Sequence, residues 1–245
     1  MSRWRAAAIH ASISAVIALL VGALLLGVWY PPPYFHAAGA DALVPLLCGS
    51  VAIGPVLTLS VFRLGKRGMK FDLVIIAIVH AAAIAFSLWI IAGSRPVFLV
   101  AAVDRIVAVS ANAIADTDLQ QGRSEEFRTR SWTGPRLAAI ELPTEPAERN
   151  HLVFLVGDRN VEDLPRYYVA YGEGSKTLLP AAKALDALRG KNAEAAALVD
   201  GWLRRSGRNA DDIRWVPLQA RKDDLVMLLD RRSAQPLQAL AINPW

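Results

Sequence analysis

The feature that most limits what this chain can fold into is the run from Ala6 to Trp29, apolar for most of its length, uncharged, and followed at once by Pro31, Pro32 and Pro33. A helix that crosses a bilayer needs about 20 apolar residues at 1.5 Å of rise each. Leu43 to Phe62 and Leu73 to Ala92 meet the same requirement, again without a charged side chain. The sequence therefore predicts three transmembrane α-helices, over about 6–29, 43–62 and 73–92. Composition agrees, since 54% hydrophobic residues is more than an ordinary soluble chain carries.

Charge then divides the chain. Residues 1–94 hold six of the 27 bases (Arg3, Arg5, Arg63, Lys66, Arg67, Lys70) and two of the 22 acids (Asp41, Asp72). A membrane domain over 1–94 and a nearly neutral domain over 95–245 follow from that split. The basic surplus sits beside the spans and not on a dense soluble patch, which argues against nucleic acid as a partner. A secretory signal peptide would also begin with Arg3 and Arg5, but this apolar run is too long and no A-x-A-like cleavage site follows it. We read the first span as an uncleaved anchor. Cys48 stands alone, so neither an intramolecular disulfide nor a cysteine-based zinc site is expected.

Short cytoplasmic loops retain Lys and Arg. The N-terminus and the loop Arg63 to Lys70 are basic, whereas Tyr30 to Ala42 has no base. This places the N-terminus inside, the 30–42 loop outside, and the C-terminal domain outside after three spans. Three prolines end the first helix because proline lacks an amide proton and clashes with the preceding turn. They stop it at the outer interface, where Trp29 and Tyr30 suit headgroup depth; Trp89 is expected at the same level and Trp4 at the inner one.

Polar residues within the spans are His10, Ser12 and Ser14 in the first, Gly54-Pro55 with Thr58 in the second, and His80 in the third. Intramembrane ionisable groups are functional candidates. The simpler reading lets His10 reach headgroups from near the inner face and His80 hydrogen-bond a neighbouring helix. Small residues recur at helical spacing, as Ala7, Ala11 and Ala15 and as Ala77, Ala81 and Ala85. Such stripes permit close helix approach. Most simply they pack the three spans together; either stripe could equally take a helix from a partner.

Beyond Ala92, Val97 to Val109 is apolar but interrupted by Asp104-Arg105. We expect two short strands, or one broken at that pair. A fourth membrane segment over 97–111 is the alternative; it would bury the charged pair and turn the C-terminal domain inward. "TEPAERNHLVFLVG" and "LPRYYVAYGEG" mix apolar runs with turn residues. A helix is expected over Pro180 to Arg189 and another after an Asn192 cap, ending at Gly207. Strands are expected over Ile213–Gln219, Leu225–Leu229 and Leu237–Ile242. The domain reads as α+β with an antiparallel meander.

No chemistry-bearing constellation stands out. "YGEGSKT" (Tyr171 to Thr177) lacks the glycine spacing of a phosphate-binding loop. His10, His36, His80 and His151 lack metal-ligand spacing, and no Gly-x-Ser-x-Gly elbow occurs. No enzyme activity, metal or cofactor is expected. A membrane-anchored enzyme or sensor remains the alternative, as does a scaffold of another envelope machine, because scattered residues can converge in space.

Three stretches together resemble the TfpX/TfpZ group of type IV pilin accessory proteins. They are "YPPPYF" with Pro31, Pro32, Pro33 and Tyr34; "GPVLTLSVFRLGKRGMKFDL" with Gly54, Pro55 and Asp72; and "RPVFLVAAVDR" with Arg95, Pro96, Asp104 and Arg105. The closing "NPW" is similar too, although Asn243 stands where that group has an acid. The resemblance implies a non-enzymatic protein of a Gram-negative inner membrane, with a periplasmic C-terminal domain. It implies a chaperone-like or modulatory role for a cognate type IV major pilin, with other pilus assembly proteins as further partners. Ala77, His80, Ala81 and Ala85 are the candidate helix-packing or pilin-contact positions.

The orientation can be measured directly. With Cys48 removed and a single cysteine placed near the C-terminus, a membrane-impermeant thiol reagent should label whole cells after the outer membrane is permeabilised. Labelling only after the inner membrane is broken would reverse the topology.

Overall fold

This computed structural model describes residues 2–63, 65–143, 145 and 160–245. The chain forms two compact units, Met1–Phe35 with Gly39–Arg95, and His36–Ala38 with Pro96–Trp245.

The first unit contains three helices long and apolar enough to cross a membrane, spanning Arg3–Trp29, Ala40–Val61 and Met69–Ser94. We label their α-helical parts α1 (Arg3–Leu24), α2 (Val44–Val61) and α3 (Met69–Ser94). Ser2 caps α1, its hydroxyl accepting from the Arg5 amide. The end of α1 widens into a π-turn, Leu25–Trp29, closed by the Tyr30 amide donating to the Leu25 carbonyl at 2.7 Å. The prolines come next, with a cis bond between Pro32 and Pro33. Gly68, at φ 81°, opens α3 in the left-handed region that favours glycine. Pro55 lies inside α2 and contributes no amide to its ladder. Helix α2 packs against both α1 and α3.

Among the described residues eight strands build the second unit: β1 (Pro96–Ala101), β2 (Ile106–Ser110), β3 (Arg136–Ile140), β4 (Tyr168–Ala170), β5 (Lys183–Ala184), β6 (Ile213–Gln219), β7 (Leu225–Asp230) and β8 (Pro236–Leu240). Their order is β4-β3-β1-β2-β6-β7-β8, with β5 on β6. The expected meander is present as β6-β7-β8, antiparallel throughout. The sheet is nevertheless mixed, because β1 pairs β3 and β2 pairs β6 in parallel. Strand β3 has no counterpart among the sequence expectations. Residues 96–110 form a β1-β2 hairpin and not a fourth span. Asp104-Arg105 lies at its turn, where the Ala102 amide donates to the Arg105 carbonyl at 2.8 Å.

Two helices follow β5, α4 (Asp186–Arg189) and α5 (Ala193–Ser206). The caps of α5 are those read from sequence: Asn192 Oδ1 accepts from the Ala195 amide at 2.7 Å, and Gly207 has φ 65°. The expected helix over Pro180 to Arg189 is corrected to the single turn of α4. Lys183 and Ala184 pair instead with Trp215 and Arg214, and the Trp215 indole donates to the Ala184 carbonyl at 3.0 Å. This tertiary pairing overrides alanine's helical preference. The apolar run in "TEPAERNHLVFLVG" lies outside the described residues, apart from Glu145.

One core cluster packs Leu188, Val199 and Trp202 against Ile213, Trp215, Val226 and Leu228. A second packs Phe98 of β1 and Tyr168 of β4 with Phe127, and their rings meet edge-on at centroid distances of 5.3 to 6.3 Å. Burial pushes the Tyr168 phenol well above its ordinary pKa, with Asp163 and Glu162 adding to it. Its hydroxyl donates to the Glu162 carbonyl.

Leu228 is fully buried in the first cluster. Leu228→Ala should destabilise the second unit by about 2–5 kcal/mol, measured by tryptophan fluorescence during denaturation of the full chain. Val103→Ala, at an exposed position, should leave the transition in place.

Candidate functional site

Helices in lipid cannot turn stray polar groups toward water at mid-depth, so each polar side chain must find a partner in protein or lie at an interface. His10 on α1, Thr58 on α2 and His80 on α3 solve this together. His10 Nδ1 shares a hydrogen bond with Thr58 Oγ1 at 2.7 Å, and His10 Nε2 shares one with His80 Nδ1 at 2.9 Å. The two imidazoles are tilted by 58°, with centroids 5.0 Å apart. Two proton arrangements satisfy the chain. Either His80 Nδ1–H donates to His10, whose Nδ1–H donates to Thr58, or the threonine hydroxyl donates to His10, whose Nε2–H donates to His80. In both, His80 Nε2 is buried without a hydrogen-bond partner among the described residues. No third His, Cys, Asp or Glu among those residues joins the pair to make a metal-ligand set.

Gly54 makes this contact possible. A Cβ at that position would lie 2.3 Å from His80 Nδ1 and 2.7 Å from His10 Nε2. Glycine therefore serves as the floor on which the rings rest, one turn before Thr58 on the same face of α2. The expectation that His10 reaches headgroups is corrected: its ring turns into the bundle. The partner expected for His80 on a neighbouring helix is His10.

The buried stripe of α3 runs through Ile76, His80, Ile84, Ser87, Ile91 and Ser94. Ala77, Ala81 and Ala85 lie to one side of it and are exposed. On α1, Ala7 is buried whereas Ala11 and Ala15 are exposed. The simplest reading, that both stripes pack the three spans together, is corrected. Isoleucine and the hydrogen-bonded histidine occupy the seam, and the alanine face of α3 is left open.

The other singled-out residues separate into groups. Tyr30 donates to the Ile91 carbonyl at 2.6 Å and meets Phe35 edge-on at 6.3 Å. The Arg95 guanidinium lies 5.5 Å from the Trp29 ring centre, with Nη1 donating to the Ala92 carbonyl at 2.5 Å. Trp29 and Tyr30 are buried, at 6% and 0% exposure. Trp4 and Trp89 are exposed, at 64% and 72%. Burial raises the Tyr34 phenol to about 12. Asp72 pairs with Lys66 at 2.5 Å. Arg105 grips Asp104 through two guanidinium nitrogens, at 2.8 and 3.1 Å, which holds the Asp104 carboxyl below its usual range. Pro96 begins β1. Pro31–Tyr34, Gly54, Arg95 and Asp104-Arg105 therefore act at separate places. The His10 and Thr58 roles were missed because sequence spacing does not reveal interhelical register; a glycine and a threonine four apart on a span was the available signal.

Three membrane-length helices held by a polar contact, joined to a mixed sheet, define a membrane-anchored protein with an appended α+β domain. The family described as "Fimbrial assembly protein FimB" matches residues 1–39. The chain is 28% identical over 229 residues to the fimbrial assembly protein of serogroup I from Dichelobacter nodosus, covering 91% of this chain and 89% of that one. It is 29% identical over 234 residues to the serogroup E1 protein of the same organism, with the same coverage. The protein of serogroups C1 and C2 is 32% identical over 116 residues, 46% of this chain and 88% of its own. The chain belongs to this fimbrial assembly protein family. No solved structure gives a significant match.

Gly54→Ala should destabilise the bundle far more than Gly49→Ala on the same helix, where an added Cβ meets nothing within 4 Å. Thr58→Val should cost about 0.6–1.7 kcal/mol, the range for interhelical hydrogen bonds in lipid. Unfolding of the full chain in mixed micelles by increasing SDS measures both.

Proposed function

We propose that the protein is an inner-membrane accessory factor, chaperone-like and non-enzymatic, that promotes assembly or surface display of a cognate type IV pilin. In this reading the N-terminus is cytoplasmic and the second unit periplasmic. Relatives named for fimbrial assembly, matched along most of the chain, support a role in pilus assembly. The resemblance to the TfpX/TfpZ group supports the pilin as the client.

The observation that carries the mechanism is the exposed alanine face of α3 at Ala77, Ala81 and Ala85. In lipid, helices associate through close packing and hydrogen bonds, not through hydrophobic burial, so small side chains on an open face offer an incoming helix a close approach. Before assembly, the pilin's own membrane helix is the client segment that lies beside it. Contacts of the pilin head with the second unit would add selectivity among pilins.

Ala81→Leu tests this surface, because the position is exposed and leucine meets no neighbour within the bundle's seam. Pilin co-purified with the full chain from detergent-solubilised membranes should fall several-fold, with the second unit's unfolding transition unchanged. Undiminished pilin recovery removes this face from the mechanism.

A further inference from the structure

The basic end of the three-helix unit carries a charge balance that the rest of the unit does not share. Arg3 and Arg5 open α1; Arg63, Lys66 and Arg67 occupy the α2-α3 connection; Lys70 lies in the first turn of α3. The polar contact aligns them. His10 lies seven residues beyond Arg3, Thr58 five before Arg63 and His80 ten beyond Lys70. At 1.5 Å per residue the three helices all reach one end within about 15 Å of the contact.

All six bases are exposed. Lys66 alone has a carboxylate, that of Asp72; Arg3, Arg5, Arg63, Arg67 and Lys70 make no ion pair among the described residues. Arg95, toward the other end of α3, shows the contrasting solution: it is buried, folded over Trp29 and bonded to the Ala92 carbonyl. The uncompensated charge is therefore specific to one end. Five like charges held there repel one another, and their counter-charge must come from outside the chain. Trp4, at 64% exposed, and Phe71, at 69%, stand among them, with the Arg3 guanidinium 5.8 Å from the Trp4 ring centre. A ligand that meets both features is anionic at its head and apolar beyond it.

We infer that this end binds acidic phospholipid: phosphodiester headgroups gather at Arg3, Arg5, Arg63, Arg67 and Lys70, and their chains run beside Trp4 and Phe71. The surface collects acidic lipid around the protein and fixes the depth of its helices. Each exposed base near an anionic surface contributes about a fivefold preference at low ionic strength, screened as salt rises.

The test uses the full chain in detergent micelles, titrated with fluorescent phosphatidylglycerol or with phosphatidylcholine bearing the same dye. Phosphatidylglycerol should bind at least about tenfold tighter at low salt, and the preference should shrink as NaCl is added. The variant Arg63→Gln/Arg67→Gln/Lys70→Gln should lose most of the preference with its melting transition unchanged, while Arg63→Lys/Arg67→Lys, which keeps the charge, should retain it. Equal binding of the two lipids, or a glutamine variant that keeps the preference, overturns the inference. Glycerophosphoglycerol, the headgroup without tails, should not compete at matched concentration. Competition as strong as that of the lipid would mean a soluble phosphodiester site, and would also overturn it.

Discussion

The hydrogen bonds that link His10 with Thr58 and with His80 set the geometry on which the membrane unit depends. Lipid offers no substitute for a lost partner at that depth, so the bonds fix both the rotation and the axial register of three helices. Gly54 lets the rings come close, since any side chain there would occupy their place. Once His80 points into the bundle, helical geometry decides the rest of α3. Ile76, Ile84 and Ile91 follow it inward, and Ala77, Ala81 and Ala85 are carried to the open side. The same register brings six bases to one end. A single polar contact thereby leaves the alanine face of α3 open and gathers exposed bases at one end of the bundle.

The second unit is stabilised by different means. Its sheet joins a β1-β2 hairpin, a parallel partner on each side of that hairpin, and a terminal meander, so distant segments meet in one layer. Apolar burial dominates: six successive residues of β1 are buried, as befits a strand covered on both faces. Polar groups mark the turns. Asp104-Arg105 close one hairpin, and the Asp230 carboxylate accepts from the Arg232 and Ser233 amides in another, which holds its pKa below the ordinary value.

What could be read from the chain in advance was local. Apolar runs of membrane length, the Asn192 and Gly207 caps and the short apolar runs of β6, β7 and β8 between polar turns are each encoded within a few residues of where they act. The charged pair at 104–105 divided an apolar stretch into two strands for an equally local reason. What escaped was non-local. Strand β3, Arg136–Ile140, is short and becomes a strand by pairing with β1 and β4. Lys183 and Ala184 lie in a helix-like pattern and are claimed by β6. Trp29 and Tyr30 looked suited to headgroups, yet Arg95 and the Ile91 carbonyl engage them. The histidine contact needs the relative rotation of three helices, which no spacing within one helix contains.

The central proposal is that this membrane-anchored member of the fimbrial assembly family promotes assembly or surface display of a cognate type IV pilin. The most direct measurement is the ratio of sheared surface pilin to total cellular pilin in a strain lacking this gene and in the complemented strain. The account predicts that surface pilin falls while total pilin persists, and that complementation restores it. An unchanged ratio, with the cognate pilin expressed, would contradict the claim and leave the protein's task elsewhere in the envelope.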